Sequence, residues 1–283
     1  MIDLKGNEKI LIIKPSAFGD ILHALALLDR IKTAYPNVSV SWVVNRAYAD
    51  MLRENKLIDS MFIFDREKWG RKRNILKTFK ESKKFIGLIR KKQFDIVIDL
   101  QGLFRSGVIT LLSGAAVKIG LSDSREGSRY CYNRVVTVHD KKRHAVDRYL
   151  KVFDLFNETA NKSSDISFPL YWNDKNDKLA DKFFQDNKIF PSDTIIALNP
   201  NSRWQSKCWD SENFAKLADL IVENLGAKVI FIGGPSERSG VQKIIDRTKH
   251  KPFNIAGKTE LLELASMLKR VDCLITNDSG PMH

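Results

Sequence analysis

The stretch Ile10-Leu-Ile-Ile-Lys14-Pro-Ser-Ala-Phe-Gly-Asp20-Ile-Leu-His23 constrains the fold more than any other. A short apolar run ends at Lys14. A turn containing Pro15, Ser16 and Gly19 follows, and Asp20 opens a helix carrying Leu22, Leu25 and Ala26 at helical spacing. A continuous apolar run of this length suits a strand covered on both faces, as in parallel sheets. The turn then lies at the C-terminal end of a strand, where open parallel sheets bind ligands. Helix N-termini attract anions. Asp20 is itself an anion, so the segment reads as a base or an orienting group rather than a phosphate cradle.

The same alternation continues. Strands are predicted at Val38–Val44, Met61–Phe64 and Phe94–Leu100, with a short helix over Arg46–Glu54. A long basic helix is predicted over Asn74–Lys92, with Ile75, Phe79, Ile86 and Ile89 on one face. After Pro191 the pattern restarts with a strand at Thr194–Leu198. A helix capped by Asp210 and Ser211 follows, bearing Phe214, Leu217, Ala218, Ile221 and Leu225 and closed by Gly226. Strands at Lys228–Ile232 and Val271–Thr276 and helices at Val241–Arg247 and around Leu261–Leu268 complete it. Two successive βαβ arrays predict two Rossmann-like, doubly wound α/β domains, 1–165 and 166–283. The sequence stops at His283, just past a strand-end loop that calls for a helix. The expectation is a truncated second domain, short of at least one βα unit of roughly 30 residues.

Composition narrows the function classes. The chain has 283 residues, 43% hydrophobic and 29% charged, so it has material for real cores. No apolar run approaches the roughly 18 residues of a membrane span, and the N-terminus lacks a signal-peptide layout. Cys131, Cys208 and Cys273 form no CxxC pair, and the five histidines form no ligand-spaced pair. No metal site is expected, and a reducing cytoplasm fits. No loop is GxGxxG or a Walker A sequence, so no nicotinamide or other cofactor is signalled. The net charge of +13 points to an anionic partner. Much of it is local, from Arg66, Lys68, Arg71, Lys72 and Arg73 through Lys92.

The strand-end loops hold the candidate site residues: Ser16 and Asp20, then Gln101 and Arg105, in the first half. The second half offers Lys207, Glu237, Asp278, Ser279, Gly280 and His283. Lys207, Ser279, Gly280 and nearby amides suit a diphosphate, and Glu237 suits ribose hydroxyls. The tryptophans Trp42, Trp69, Trp172 and Trp204 read as packing residues.

Six segments carry a family resemblance. They are Lys14-Pro-Ser-Ala-Phe-Gly-Asp-Ile-Leu-His23, Asp95-Ile-Val-Ile-Asp-Leu-Gln-Gly-Leu103, His144-Ala-Val-Asp-Arg148, Ser206-Lys-Cys-Trp209, Gly233-Gly-Pro-Ser-Glu237 and Thr276-Asn-Asp-Ser-Gly-Pro-Met-His283. In these the chain resembles the glycosyltransferase family 9 heptosyltransferases. It is most similar to their type I, although the Asn277–His283 loop is closer to type II. The resemblance implies a GT-B fold with the active site in the cleft between its domains. It implies inverting transfer of heptose from ADP-heptose to the Kdo region of a lipopolysaccharide inner core. Asp20 would then be the general base and Lys207 the charge that meets the departing ADP. Glu237, Thr259, Asp278, Ser279, Gly280 and His283 would contact the donor. Arg66, Lys68, Arg71, Lys72 and Arg73 would meet the acidic acceptor, with Ser16 and Arg105 as further acceptor-side candidates. The implied enzyme is metal-independent and works at the cytoplasmic face of an anionic inner membrane, with a monomer as the default. The competing readings are another family 9 subtype, a different Rossmann enzyme such as a nucleotide-sugar epimerase, and a basic module binding nucleic acid or anionic lipid. The epimerase reading lacks a GxGxxG dinucleotide fingerprint.

Overall fold

A computed structural model describes residues 1–65, 75–140, 143–156, 165–202 and 204–283, with the side chains of 75–78 outside the description. The chain divides into two compact units, Met1–Leu170 and Tyr171–His283.

The first unit runs β1 (Lys9–Ile13), α1 (Phe18–Ala34), β2 (Ser39–Asn45), α2 (Asp50–Arg53), β3 (Ser60–Phe64), α3 (Ile75–Lys91), β4 (Ile96–Asp99), α4 (Phe104–Leu112), β5 (Val117–Leu121), β6 (Arg134–Val136) and α5 (Ala145–Leu150). Its six strands are all parallel, in the order β3-β2-β1-β4-β5-β6. That is the Rossmann order, and its direction reverses between β1 and β4. Ile10–Ile13 are wholly buried, as expected for a strand covered on both faces. Trp42 is also fully buried, and its indole N–H donates to the Lys14 carbonyl at 3.2 Å.

Helix α3 is turned from its predicted face. Phe85 and Ile89 are buried, with Ile86 beside them, against Phe62, Phe64 and Phe94. Phe79 is 70% exposed. At about 100° per residue, Phe79 points well away from a stripe set by Phe85 and Ile89. Strands β5 and β6 leave no continuous apolar run in the sequence. The first is interrupted by Lys118 and Gly120, and the second has only three residues.

The second unit runs α6 (Asp174–Asp186), β7 (Ile195–Asn199), α7 (Ser211–Leu225), β8 (Lys228–Phe231), α8 (Arg238–Asp246), β9 (Phe253–Asn254), α9 (Leu261–Leu268) and β10 (Cys273–Thr276). Its parallel sheet has the order β10-β7-β8-β9, so its direction reverses between β7 and β10. Asp210 caps α7 by accepting from the Glu212 amide at 2.8 Å, and Gly226 ends it in the left-handed region at φ +62°. Phe214, Ala215, Ala218 and Ile221 are buried. Leu225, expected on that stripe, is 64% exposed, because the helical pattern runs one turn beyond the packing surface. Trp172 donates to Asp177 at 2.9 Å, whereas Trp204, expected to pack, is 61% exposed. Trp69 lies outside the described residues. Among the described residues no helix is long and apolar enough to cross a membrane.

Candidate functional site

In the first unit the ends of β1 and β4 bring together Lys14, Ser16, Asp20, Asp99 and Gln101. Lys14 is 3% exposed. Its ammonium donates to the Leu100 carbonyl at 3.3 Å, lies 3.4 Å from Asp20 Oδ2, and sits 5.4 Å from the centre of the Tyr149 ring. Burial pushes the Lys14 ammonium below the ordinary lysine range, and the neighbouring Asp20 carboxylate opposes that shift.

Asp20 does not open its helix. The helix begins at Phe18, after Ala17, and Asp20 is the third residue of its first turn. From there Oδ2 reaches back to accept from the Ala17 amide at 3.3 Å. A carboxylate in the first turn is favoured by the unpaired amides and the helix dipole. The side chain is 42% exposed, so it faces both protein and solvent.

Asp99 ends β4 and is fully buried. Oδ1 accepts from the Gln101 and Gly102 amides at 2.9 and 3.0 Å, and Oδ2 accepts from the Tyr132 hydroxyl at 2.8 Å. Burial raises the Asp99 carboxyl above the ordinary range, and these hydrogen bonds pull it back. Burial, then the Asp99 charge, raises the Tyr132 phenol. The phenol can reach because Gly120 carries no side chain: a Cβ there would lie 2.1 Å from Tyr132 Cε2.

The Gln101 side chain accepts from the Ser16 amide at 3.3 Å, tying the two strand-end loops together. The Ser16–Ala17 peptide bond is cis. Beside it opens a cavity of about 250 Å³, lined by residues that include Ser16, Asn45, Gln101, Arg105 and Ser106. Arg105 is exposed at its rim. The predicted basic residues Arg66, Lys68, Arg71, Lys72 and Arg73 lie outside the described residues.

The motif His144–Arg148 opens α5, which packs against α1. His144 Nδ1 accepts from the Val146 amide at 3.4 Å, and its ring lies 4.6 Å from that of His23. Arg148 pairs with Asp123, as the ion-pair reading of that residue expects.

The second unit repeats this placement at its own reversal point. Asn199, ending β7, donates to Thr276 Oγ1 at 2.9 Å and Ser279 Oγ at 2.7 Å. Asn277 donates to the Pro200 carbonyl at 2.7 Å and accepts from the Trp209 amide at 3.0 Å. Ser202 donates to the Asp278 carbonyl at 3.0 Å. The ammonium of Lys207 pairs with the Asp278 carboxylate, and that hydrogen bond and charge hold Asp278 below the usual carboxylate range. Lys207, Asp278 and Ser279 are thus brought into one loop cluster, followed by the single turn Gly280–Met282 and His283. Glu237 accepts from the Gly234 amide at 2.6 Å in the loop after β8. Thr259 lies in the loop between β9 and α9.

Among the described residues no three His, Cys, Asp or Glu side chains gather as a metal site. Sequence reasoning missed the roles of Lys14, Asp99 and Tyr132. The available signal was a charged residue, Asp99, inside a continuous apolar run.

Two consecutive Rossmann-like units, each with polar loops at its reversal point, are the arrangement of a GT-B fold. Residues 83–283 match the family model described as Glycosyltransferase family 9 (heptosyltransferase). The chain belongs to that family. It is 27% identical over 281 residues to the lipopolysaccharide core heptosyltransferase OpsX of Haemophilus influenzae, covering 98% of this chain and 75% of the relative. Its structure is similar to that of the glycosyl transferase family 9 protein from Veillonella parvula, with a TM-score of 0.84, 25% identity, and coverage of 98% of this chain and 76% of that one. It shares the fold of the E. coli heptosyltransferase WaaC solved with ADP-2-deoxy-2-fluoro heptose, with a TM-score of 0.74, 23% identity, and coverage of 96% and 83%.

Proposed function

We propose that the chain transfers heptose from ADP-heptose to the Kdo region of a lipopolysaccharide inner core, with inversion. The observation that carries this is the pairing of chemistries at the two reversal points. One holds a half-exposed carboxylate, Asp20, and the other an exposed ammonium, Lys207, on a loop of hydroxyls and amides. An inverting transfer needs one base and a stabilised leaving group. In this reading Asp20 takes the proton of the acceptor hydroxyl as its oxygen attacks the anomeric carbon. The bond to the diphosphate breaks, and Lys207 meets the charge left on ADP. Asp278, Ser279, Gly280, His283, Glu237 and Thr259 serve the donor. Ser16, Arg105 and the segment Arg66–Arg73 serve the acceptor. The domains 1–165 and 166–283 divide these tasks. Heptosyltransferase names among relatives, and an ADP-sugar analogue bound to one structural neighbour, support the donor assignment.

The exposed face of α3 carries Lys80, Lys83, Lys84, Arg90 and Lys91. Basic residues near an anionic leaflet gain about 1 kcal/mol each, which supports work at the cytoplasmic face of the inner membrane; the working unit in this reading is a monomer. The test is turnover of ADP-heptose on Kdo-lipid A, with ADP release as the readout. Saturable transfer is expected. Absence of both binding and transfer of ADP-heptose would overturn the proposal.

A further inference from the structure

The first-unit cluster contains a cation that the reaction as proposed does not use. A lysine ending a run of wholly buried aliphatic side chains, Ile10–Ile13, is costly to keep charged. Nothing in the strand itself demands it: an apolar side chain would extend the run. Yet the Lys14 ammonium is fixed from three elements. It meets Leu100 O beyond β4 at 3.3 Å, the Tyr149 ring of α5 at 5.4 Å, and Asp20 Oδ2 of α1 at 3.4 Å. The charged and titratable groups around it are Asp20, Asp99, Arg148 and Tyr149.

The contacts of Asp20 are one-sided. The Ala17 amide and Lys14 both engage Oδ2. Oδ1 carries none of the described hydrogen bonds or ion pairs, and the side chain is 42% exposed. Two donors on one oxygen hold Oδ2 in place, and Oδ1 is the oxygen without a described protein partner.

We infer that Lys14 is a positioning residue for the transfer, anchoring Oδ2 of Asp20 so that Oδ1 faces the acceptor hydroxyl. This rests on Asp20 being the base. The acceptor proton goes to Oδ1, the acceptor oxygen bonds to the anomeric carbon, and the carbon–oxygen bond to ADP breaks. Lys14 neither gives nor takes a proton. Tyr149 of α5 is the wall against which its ammonium rests.

The experiment compares Lys14→Met, Lys14→Arg and Asp20→Asn in steady-state transfer, with folding checked by circular dichroism. Misplacing a reacting group by about 1 Å costs on the order of 100-fold. Lys14→Met is expected to lose about that much kcat, with both KM values within about twofold, and Lys14→Arg to recover part of it. If Lys14→Met does not fold, Lys14→Arg against the wild type carries the test. Lower kcat at unchanged KM supports the inference, and wild-type kcat or an effect on KM alone overturns it. A Lys14→Arg variant no better than a folded Lys14→Met also overturns it. Wild-type turnover by Asp20→Asn would instead sink the base assignment, a separate failure.

Discussion

The Tyr132 hydroxyl donates to Asp99 Oδ2 at 2.8 Å, which joins the end of β4 to a residue 33 positions further along the chain. The Gln101 and Gly102 amides hold Oδ1 of the same buried carboxylate. Removing the hydroxyl leaves one buried oxygen without that donor, which costs about 1–3 kcal/mol. Tyr132→Phe is therefore expected to lower the free energy of unfolding by that amount, read as a lower urea midpoint. Gly120→Ala should do similar damage, since overpacking typically costs about 1–3 kcal/mol and its Cβ would overlap the ring.

Asp99 also sets a pH dependence. Burial raises its carboxyl in the folded chain above the ordinary 3.8. A raised acid favours folding fully below 3.8, and that contribution is lost as pH rises through its own higher midpoint. The stability advantage of wild type over Asp99→Asn should therefore shrink as pH rises from about 4 towards neutrality. Denaturant titrations at several pH values read this, and a constant gap would contradict it.

Asp278 has the opposite sign. Lys207 lowers its carboxyl below 3.8, so the pairing is present above 3.8 and is lost as pH falls through the lower midpoint. Carbon-13 NMR of the Asp278 carboxyl should give a midpoint under 3.8 in the wild type and a higher one in Lys207→Ala. The same substitution should weaken ADP binding by about tenfold, or 1.4 kcal/mol, measured by calorimetry.

Arg105 stands at the rim of the cavity beside Ser16. Charge-assisted bonds from arginine to carboxylate are among the stronger polar contacts. Arg105→Ala is expected to raise KM for the Kdo-bearing acceptor by about tenfold, roughly the value of one such bond, while KM for ADP-heptose stays constant. Initial rates with each substrate varied in turn separate the two.

What the sequence makes legible is what short-range pattern encodes. The run Ile10–Ile13, the turn at Pro15 and Ser16, and the stripe of α1 lie within one another's reach. The caps Asp210 and Gly226 sit beside the helix they bound. Strands β5, β6 and β9 escape because a Lys, a Gly or a length of two or three residues erases the apolar run. Phe79 misleads because it lies seven residues before Ile86, nearly in line with it, whereas the packed stripe is set by Phe85 and Ile89. In the site, Asp20 and Lys207 stand out through motif spacing. Lys14 does not, because a lysine reads as exposed until the Leu100 carbonyl and Tyr149 are seen around it. Tyr132 is invisible for the same reason: its partner is distant in sequence.

The central claim is that Asp20 removes the acceptor proton, and the direct measurement is turnover of Asp20→Asn with ADP-heptose and Kdo-lipid A. General bases contribute about 10²–10⁴-fold. The account predicts a kcat lower by that factor, with ADP-heptose bound as tightly as by the wild type. Wild-type turnover by a folded Asp20→Asn enzyme would contradict it.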